Sequence, residues 1–271
     1  MIGDDASLLT HLPYAMALPT VFISHGAPDL PLRSGPTQDF LRQLLATLPE
    51  RPAAMLVISA HWLTAQPTLG TAPQPQTLYD FGGFPPLLSE LVYRAPGHPA
   101  LAQRVADLLG QAGFAPRFNP HRGYDHGTWT PLILIDPAGE IPVVMLSLQP
   151  QQGPAHHLHL GKALAPLRQE GVLIVGSGAA THNMAAFSAD YAAAPPAWAA
   201  EFDTWLAATI AQNDLAALVN YRQRAPYAER NHPTDEHLLP LFVAAGAGSQ
   251  GRRVNQGFTY GAFSMAAYRF D

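Results

Sequence analysis

The sequence has no cysteine. That absence removes disulfides, thiolate nucleophiles and cysteine-held zinc, and leaves any metal to nitrogen and oxygen ligands. Basic charge is scarce as well: 15 lysines and arginines stand against 20 acidic residues, a formal net charge of −5, which excludes a general nucleic-acid binder. Long apolar runs are also missing. Met55–Ile58 and Val143–Leu146 are far shorter than the ~18 residues a membrane span needs, and the opening residues, with Asp4 and Asp5 and no basic stretch, do not read as a secretory leader. The expectation is a cytoplasmic protein with neither a membrane nor a nucleic acid as partner. What is abundant is apolar: 48% hydrophobic against 13% charged residues in a 271-residue chain suits one sizeable core, and 22 glycines and 27 prolines imply many turns.

No repeat of fixed period and no long charge run divides the chain, so residues 1–15 are expected as a flexible start and 16–271 as a single domain. Short apolar, β-branched runs at Thr20–Ile23, Met55–Ile58, Ile141–Leu148 and Val172–Val175 read as buried strands. Between them, Phe40 to Leu48 and Leu101 to Leu109 repeat at helical spacing. Further helices are expected near His157–Leu167, at Ala197–Ala211, and from Pro233, where the missing N–H is harmless in a first turn. Strands alternating with helices predict an α/β fold with a central, mostly parallel sheet flanked by helices. Gly261–Phe270 reads as an edge or added strand whose direction is open. Ligands of such sheets gather beyond the carboxyl ends of the strands, so the residues that follow each strand carry the most information.

Histidines occupy those places. Val21–Ser24 leads into His25-Gly26, and Leu56–Ala60 leads into His61-Trp62. Val172–Val175 leads through Gly176-Ser177-Gly178 to His182-Asn183, Tyr124-Asp125-His126-Gly127 lies in a glycine-rich loop, and His232-Pro233-Thr234-Asp235-Glu236-His237 is expected to open a helix. One histidine after a strand is more often a hydrogen-bonded loop residue than a ligand. His25 and His61 share one context, however, which points to a metal held by both with a third N or O donor. Glu236 and His237 are adjacent, about 100° apart on a helix, so one of the two faces the metal; a carboxylate and a third imidazole both remain open. His156, His157 and His159 are expected as solvated or capping residues, His11 and His98 as surface residues, and His121 as a loop residue that leaves a substrate contact possible.

Taken together, Ser24-His25-Gly26-Ala27-Pro28, Ser59-Ala60-His61-Trp62, Arg122-Gly123-Tyr124-Asp125-His126-Gly127, Gly176-Ser177-Gly178 with His182-Asn183, and His232-Pro233-Thr234 with Glu236-His237 resemble the class III extradiol ring-cleavage dioxygenases, and among them the DOPA-dioxygenase-type branch of bacteria and plants. The resemblance runs from about Pro19 to the C-terminus with all five motifs in order; Tyr124 departs from it, standing where an aliphatic residue is expected. It implies one mononuclear divalent metal, Fe(II) for catalysis with Zn(II) able to take the site, held by His25, His61 and His237, with Glu236 as the alternative third ligand. His182 matches the acid/base histidine and is a possible additional ligand; His126 matches a second active-site histidine near substrate and oxygen. The implied reaction inserts O2 into a catechol such as DOPA to give a muconic semialdehyde-type product. The partners are thus a small catechol and O2, and the oligomeric state is open.

The chemistry suits these residue types, because a catechol must lose protons to chelate a metal and a neutral imidazole accepts one near neutral pH. Two other readings stand beside it. One is a zinc-dependent hydrolase on the same histidines, although the chain lacks a His-Glu-x-x-His helix; the other is a non-enzymatic member that keeps the metal and binds a peptide, against which His126 and His182 together argue. Trp62, Phe81, Phe84, Tyr124 and Trp129 are candidate aromatic walls, weighed against a core role. Arg122 is a candidate for a substrate carboxylate or, equally, for a loop-organising salt bridge.

Overall fold

Strands buried on both faces need apolar residues at consecutive positions, since alternate side chains point to opposite sides. Val172 and Ile174 face one core and Leu173 and Val175 the other, all at most 4% exposed. The computed structural model describes residues 16–271, so the expectation for residues 1–15 and for His11 lies outside the described residues. It places these runs in an eight-stranded sheet. In chain order the strands are β1 (Thr20–Ser24), β2 (Ala54–Leu63), β3 (Thr68–Gly70), β4 (Arg117–Asn119), β5 (Val143–Leu148), β6 (Val172–Gly178), β7 (Gly251–Asn255), β8 (Phe258–Thr259), β9 (Phe263–Ser264) and β10 (Ala267–Phe270). The sheet order is β4-β3-β5-β2-β6-β1-β10-β7, and β8 and β9 pair separately. The four central strands β5-β2-β6-β1 are parallel, with antiparallel joints at β3–β5, β1–β10 and β10–β7.

The helices are α1 (Pro36–Gln43), α2 (Pro99–Gln111), α3 (His126–Ile135), α4 (Gly153–Leu164), α5 (Ala197–Ala211), the short α6 (Leu215–Val219), α7 (Tyr221–Arg224) and α8 (Ala228–Asn231), and α9 (Leu239–Ala247). α2, α4, α5 and α9 cover one face of the sheet; α1 and α3 cover the other. Among the described residues no helix is long and apolar enough to cross a membrane.

Several expectations shift. His61 lies within β2 rather than beyond it, in a stretch where pairing with β5 becomes irregular between Ile58 and Leu63. His126 sits on the first residue of α3 and not in a loop, because Asp125 caps that helix by accepting from the Thr128 N–H at 3.0 Å. The last long helix starts at Leu239, not Pro233: a helix from Pro233 would set the Pro240 ring against the carbonyl of Glu236, whereas Pro240 is tolerated in a first turn. The terminal strand is not an edge. β10 is inserted antiparallel between β1 and β7, its residues at positions 267, 268 and 270 buried.

Candidate active site

Strand register brings the first two histidines together. Ile23 of β1 and Ser59 of β2 both pair with Ser177 of the intervening β6, so residues two further along, His25 and His61, stand at one height and on one face. Their Nε2 atoms are 3.1 Å apart. A third histidine comes from the opposite face. The turn before α9 crosses the end of β6 so closely that a Cβ on Gly178 would fall 2.1 Å from the His237 carbonyl, and that carbonyl accepts from the Ala179 N–H at 2.9 Å. Gly178 therefore lets the His237 backbone rest on the sheet rim with its ring turned toward His25 and His61. Among the described residues, one possible metal-holding group is His25, His61 and His237, with ligand atoms within 4.8 Å of one another.

The rings of His25, His237 and His126 are oriented from behind. His25 Nδ1 lies 3.1 Å from Ser177 Oγ, and the Ser177 hydroxyl donates to the Gly127 carbonyl. With its proton so committed, Ser177 accepts from His25 Nδ1–H, and the His25 Nε2 lone pair faces the site. The Gly127 carbonyl is free for this because its helical partner would be the N–H of residue 131, and that residue is Pro131. His237 Nδ1 donates to Glu236 Oε1 at 2.9 Å, and His126 Nδ1 to Asp80 Oδ1 at 3.0 Å, while the same Asp80 oxygen accepts the His126 backbone N–H at 2.9 Å. The Nε2 atoms of both point the other way.

Burial favours the neutral form of His25, His61, His182 and His237. Desolvation, then the neighbouring imidazoles, hold His25 and His237 well below the ordinary histidine range. The same causes lower His61 to about 3 and, with the Glu236 carboxylate opposing, His182 to about 4. Neutral imidazoles with converging lone pairs are what a divalent ion requires. Two nitrogens each about 2.1 Å from one ion lie about 3 Å apart, as His25 and His61 do, so the donor set fits a metal. Glu236 is one residue removed from this group: it grips His237 and lies with His182 and His237 in a second cluster. His182, on the loop after β6, stacks flat on His237 with ring centroids 3.4 Å apart, and His126 packs 3.9 Å from His61.

These five histidines line one cavity of about 340 Å³. Phe81 and Phe84, expected as walls, line it; Trp129 stands behind Phe81 at 6.2 Å between centroids, fully buried. Trp62, Tyr124 and Arg122, expected at the substrate, do not line the cavity. Tyr124 is 1% exposed with its hydroxyl spent on backbone carbonyls including Ala95 at 3.2 Å, and Trp62 is buried beneath the Arg122 guanidinium at 5.0 Å. Arg122 pairs with the buried Asp125, the loop-organising role. His157 is neither solvated nor exposed: it is fully buried, accepting from the Gln149 N–H at 3.1 Å and donating to the Gly153 carbonyl at 2.7 Å. His98 caps α2 and His121 is exposed outside the cavity. Asp80 and the walls at Met184, Phe187, Tyr260, Phe263 and Met265 escaped sequence reading; a carboxylate set among Tyr79, Phe81, Gly82 and Gly83 was the available signal for the first.

The chain is similar over most of its length to proteins of one family. The family described as the catalytic LigB subunit of aromatic ring-opening dioxygenase matches residues 6–271. A 4,5-DOPA dioxygenase extradiol of Beta vulgaris is 41% identical over 257 residues, covering 93% of this chain and 96% of the relative. One of Escherichia coli K12 is 37% identical over 85% of each chain, and the dioxygenase tasH of Hapsidospora irregularis is 34% identical over 87% of this chain and 80% of its own. The crystal structure of an uncharacterised Escherichia coli K12 protein superposes with a TM-score of 0.80 at 32% identity, covering 94% of this chain and all of that one.

Proposed function

Because the chain belongs to the family of the catalytic LigB subunit of aromatic ring-opening dioxygenases, a metal-dependent family, we propose that it is a non-haem Fe(II) extradiol dioxygenase acting on a catechol such as DOPA. The observation that carries this reading is the inward convergence of His25, His61 and His237 on the floor of a cavity that His126 and His182 also line. The overall change adds both atoms of O2 to the ring, breaks the carbon–carbon bond beside the diol, and leaves one aldehyde and one carboxylic acid. Atoms and electrons balance without a further reductant.

His25, His61 and His237 would hold the metal, which when bound supplies a Lewis acid for the catechol oxygens and a route for electron density from ring to dioxygen. The chain's own groups do the rest. His182, held neutral by burial, takes a proton from the entering catechol and returns it to the developing product oxygen. His126, its Nδ1–H fixed on Asp80, presents Nε2 to the cavity on the His61 side and hydrogen-bonds the oxygen-derived group. Phe81 and Phe84 exclude water and flank the ring.

The test is anaerobic loading of the metal-free protein with Fe(II) or with Zn(II), addition of a catechol panel including DOPA, and admission of air. The expected result is oxygen uptake with a coloured ring-opened product for iron alone, abolished by His25→Ala and strongly reduced by His182→Ala. Oxygen-independent turnover of ester or amide substrates with zinc, and no uptake with iron, would replace this reading with the hydrolase.

A further inference from the structure

The His182 ring is held by packing. It lies flat on His237 at 3.4 Å between centroids and meets the edge of Phe263 at 5.5 Å, so its aim is inherited from the backbone that carries it. That backbone hangs from residues 230–232, at the end of α8. The His182 N–H donates to the Asn231 carbonyl at 3.0 Å, Asn183 Nδ2 donates to the Arg230 carbonyl at 2.7 Å, and His232 Nε2 lies 2.9 Å from the Ala180 carbonyl. A carbonyl only accepts, so His232 carries its proton on Nε2. Two of these contacts use backbone carbonyls of Arg230 and Asn231 and persist whatever their side chains; the third depends on the His232 imidazole. His232 is fully buried between Phe202 at 5.4 Å and Tyr221 at 6.2 Å between centroids, and it does not line the cavity. Its Nδ1 has no partner among the described residues, so the Ala180 carbonyl is the ring's one hydrogen-bonding contact within them. An apolar side chain would fill the same space. What the imidazole adds is a rigid donor, because two torsions set its Nε2 where a glutamine needs three.

Building on the ring-cleavage reading above, we propose that His232 is a positioning residue of the reaction: its hydrogen bond to the Ala180 carbonyl fixes the loop from which His182 meets the substrate. Ala180 stands two residues before His182, and its N–H donates to Ser24 Oγ at 3.0 Å. Thr181 is tied in turn to the cavity wall, its hydroxyl donating to the Ala262 carbonyl and accepting from the Ser264 N–H, both at 2.7 Å. The chain between β6 and His182 is thus pinned at consecutive residues, and freeing the Ala180 carbonyl lets the peptide between residues 180 and 181 tilt. A shift of about 1 Å in a group that moves a proton costs up to roughly 100-fold in rate, even when the altered residue lies away from the chemistry. Chelation of the catechol at the metal is untouched, so the loss falls on kcat.

The experiment measures oxygen uptake by the Fe(II)-loaded full chain with DOPA and with 4-methylcatechol, in His232→Leu, His232→Gln, His182→Ala and the double variant combining His232→Leu with His182→Ala. His232→Leu is expected to lower kcat by roughly 10- to 100-fold, with KM and bound iron changing by less than about twofold. His232→Gln, which keeps an N–H donor at the same reach, is expected to recover kcat to within about threefold of the unsubstituted protein. In the His182→Ala background the leucine substitution is expected to cost nothing further, since residues that act as one unit are not additive. Should His232→Leu fail to fold, Asn183→Ala, which removes the exposed bond to the Arg230 carbonyl, is expected to lower kcat severalfold and to be silent in the same background. A full loss repeated in the His182→Ala background, a glutamine variant no better than leucine, or a loss confined to KM or bound iron would overturn the inference and leave ring cleavage intact. No uptake by the unsubstituted protein with any catechol would instead remove the ring-cleavage reading and this inference with it.

Discussion

Gly127→Ala adds one methyl at the narrowest part of the site. Gly127 is the second residue of α3, and a Cβ there falls 2.6 Å from Ser59 Oγ, 2.8 Å from His61 Cδ2 and 3.2 Å from His25 Cε1. Carbon atoms pack at about 3.5–4.0 Å, so the His61 ring must retreat by roughly 0.7 Å or more. Ser59 has little room to rotate away, because its hydroxyl donates to the buried Asp125 at 2.7 Å and accepts from the His61 N–H at 3.2 Å. Misplacement of that size spoils a ligand set that must be held within about 0.5 Å, and the metal dissociation constant is expected to rise by roughly 10- to 100-fold, the effect of disturbing groups that orient ligands. Stability moves less. Overpacking costs about 1–3 kcal/mol, and replacing glycine in a helix returns about 1 kcal/mol. Titration with Zn(II) against a chromophoric chelator, beside urea unfolding of the metal-free protein, separates the two effects. Unchanged zinc affinity in a variant with an unchanged urea midpoint would refute the claim that α3 holds His25 and His61 rigidly.

Other outcomes follow from the same contacts. Pro131→Ala supplies a helical N–H to the Gly127 carbonyl and competes with the Ser177 hydroxyl, so metal affinity is expected to fall severalfold while the urea midpoint rises, read by the same two titrations. Asp80→Ala removes the acceptor that fixes the His126 ring; kcat is expected to drop by about tenfold or more with metal content unchanged, and Asp80→Asn, whose oxygen can accept the same two N–H groups, to recover most of it in steady-state oxygen uptake. His157 is held neutral by burial with its pKa lowered to about 4. The unfolded chain therefore takes up a proton near the ordinary histidine value while the folded chain does not, so this stability is complete above about pH 6.5 and is lost as pH falls toward 4. The loss is roughly 3 kcal/mol, and His157→Gln should flatten the fall of the urea midpoint by about that amount.

His25 and His61 were legible because the first directly follows an apolar strand and the second lies near the end of one, whereas His126 opens α3, His182 sits on the loop after β6 and His237 precedes α9. His25 and His61 are joined by a register that a sequence cannot display but that shared spacing from β-branched runs implies. The α/β alternation was legible for the same reason. Helix α3 was hidden by Pro131, which ordinarily argues against a helix interior and here frees a carbonyl for Ser177. The start of α9 misled because Pro233 and Pro240 both suit a first turn; the clash of an internal Pro240 with the Glu236 carbonyl and the packing over Gly176 and Gly178 both favour the later start. The cavity walls were the least legible part. Phe187, Tyr260 and Phe263 meet across more than 70 residues through an isolated bridge between Phe187 and Gly261, and no local pattern announces such a meeting.

The central claim is that three converging imidazoles hold one metal at which a catechol ring is opened beside its diol. Counting O2 consumed against product formed by the Fe(II)-loaded protein with 4-methylcatechol, and identifying that product by NMR, tests it most directly. The account predicts one O2 per ring, one metal per chain, and a product with one aldehyde and one carboxylate. A quinone, a product with two carboxylates, or full turnover by a His237→Ala protein that binds no metal would contradict it.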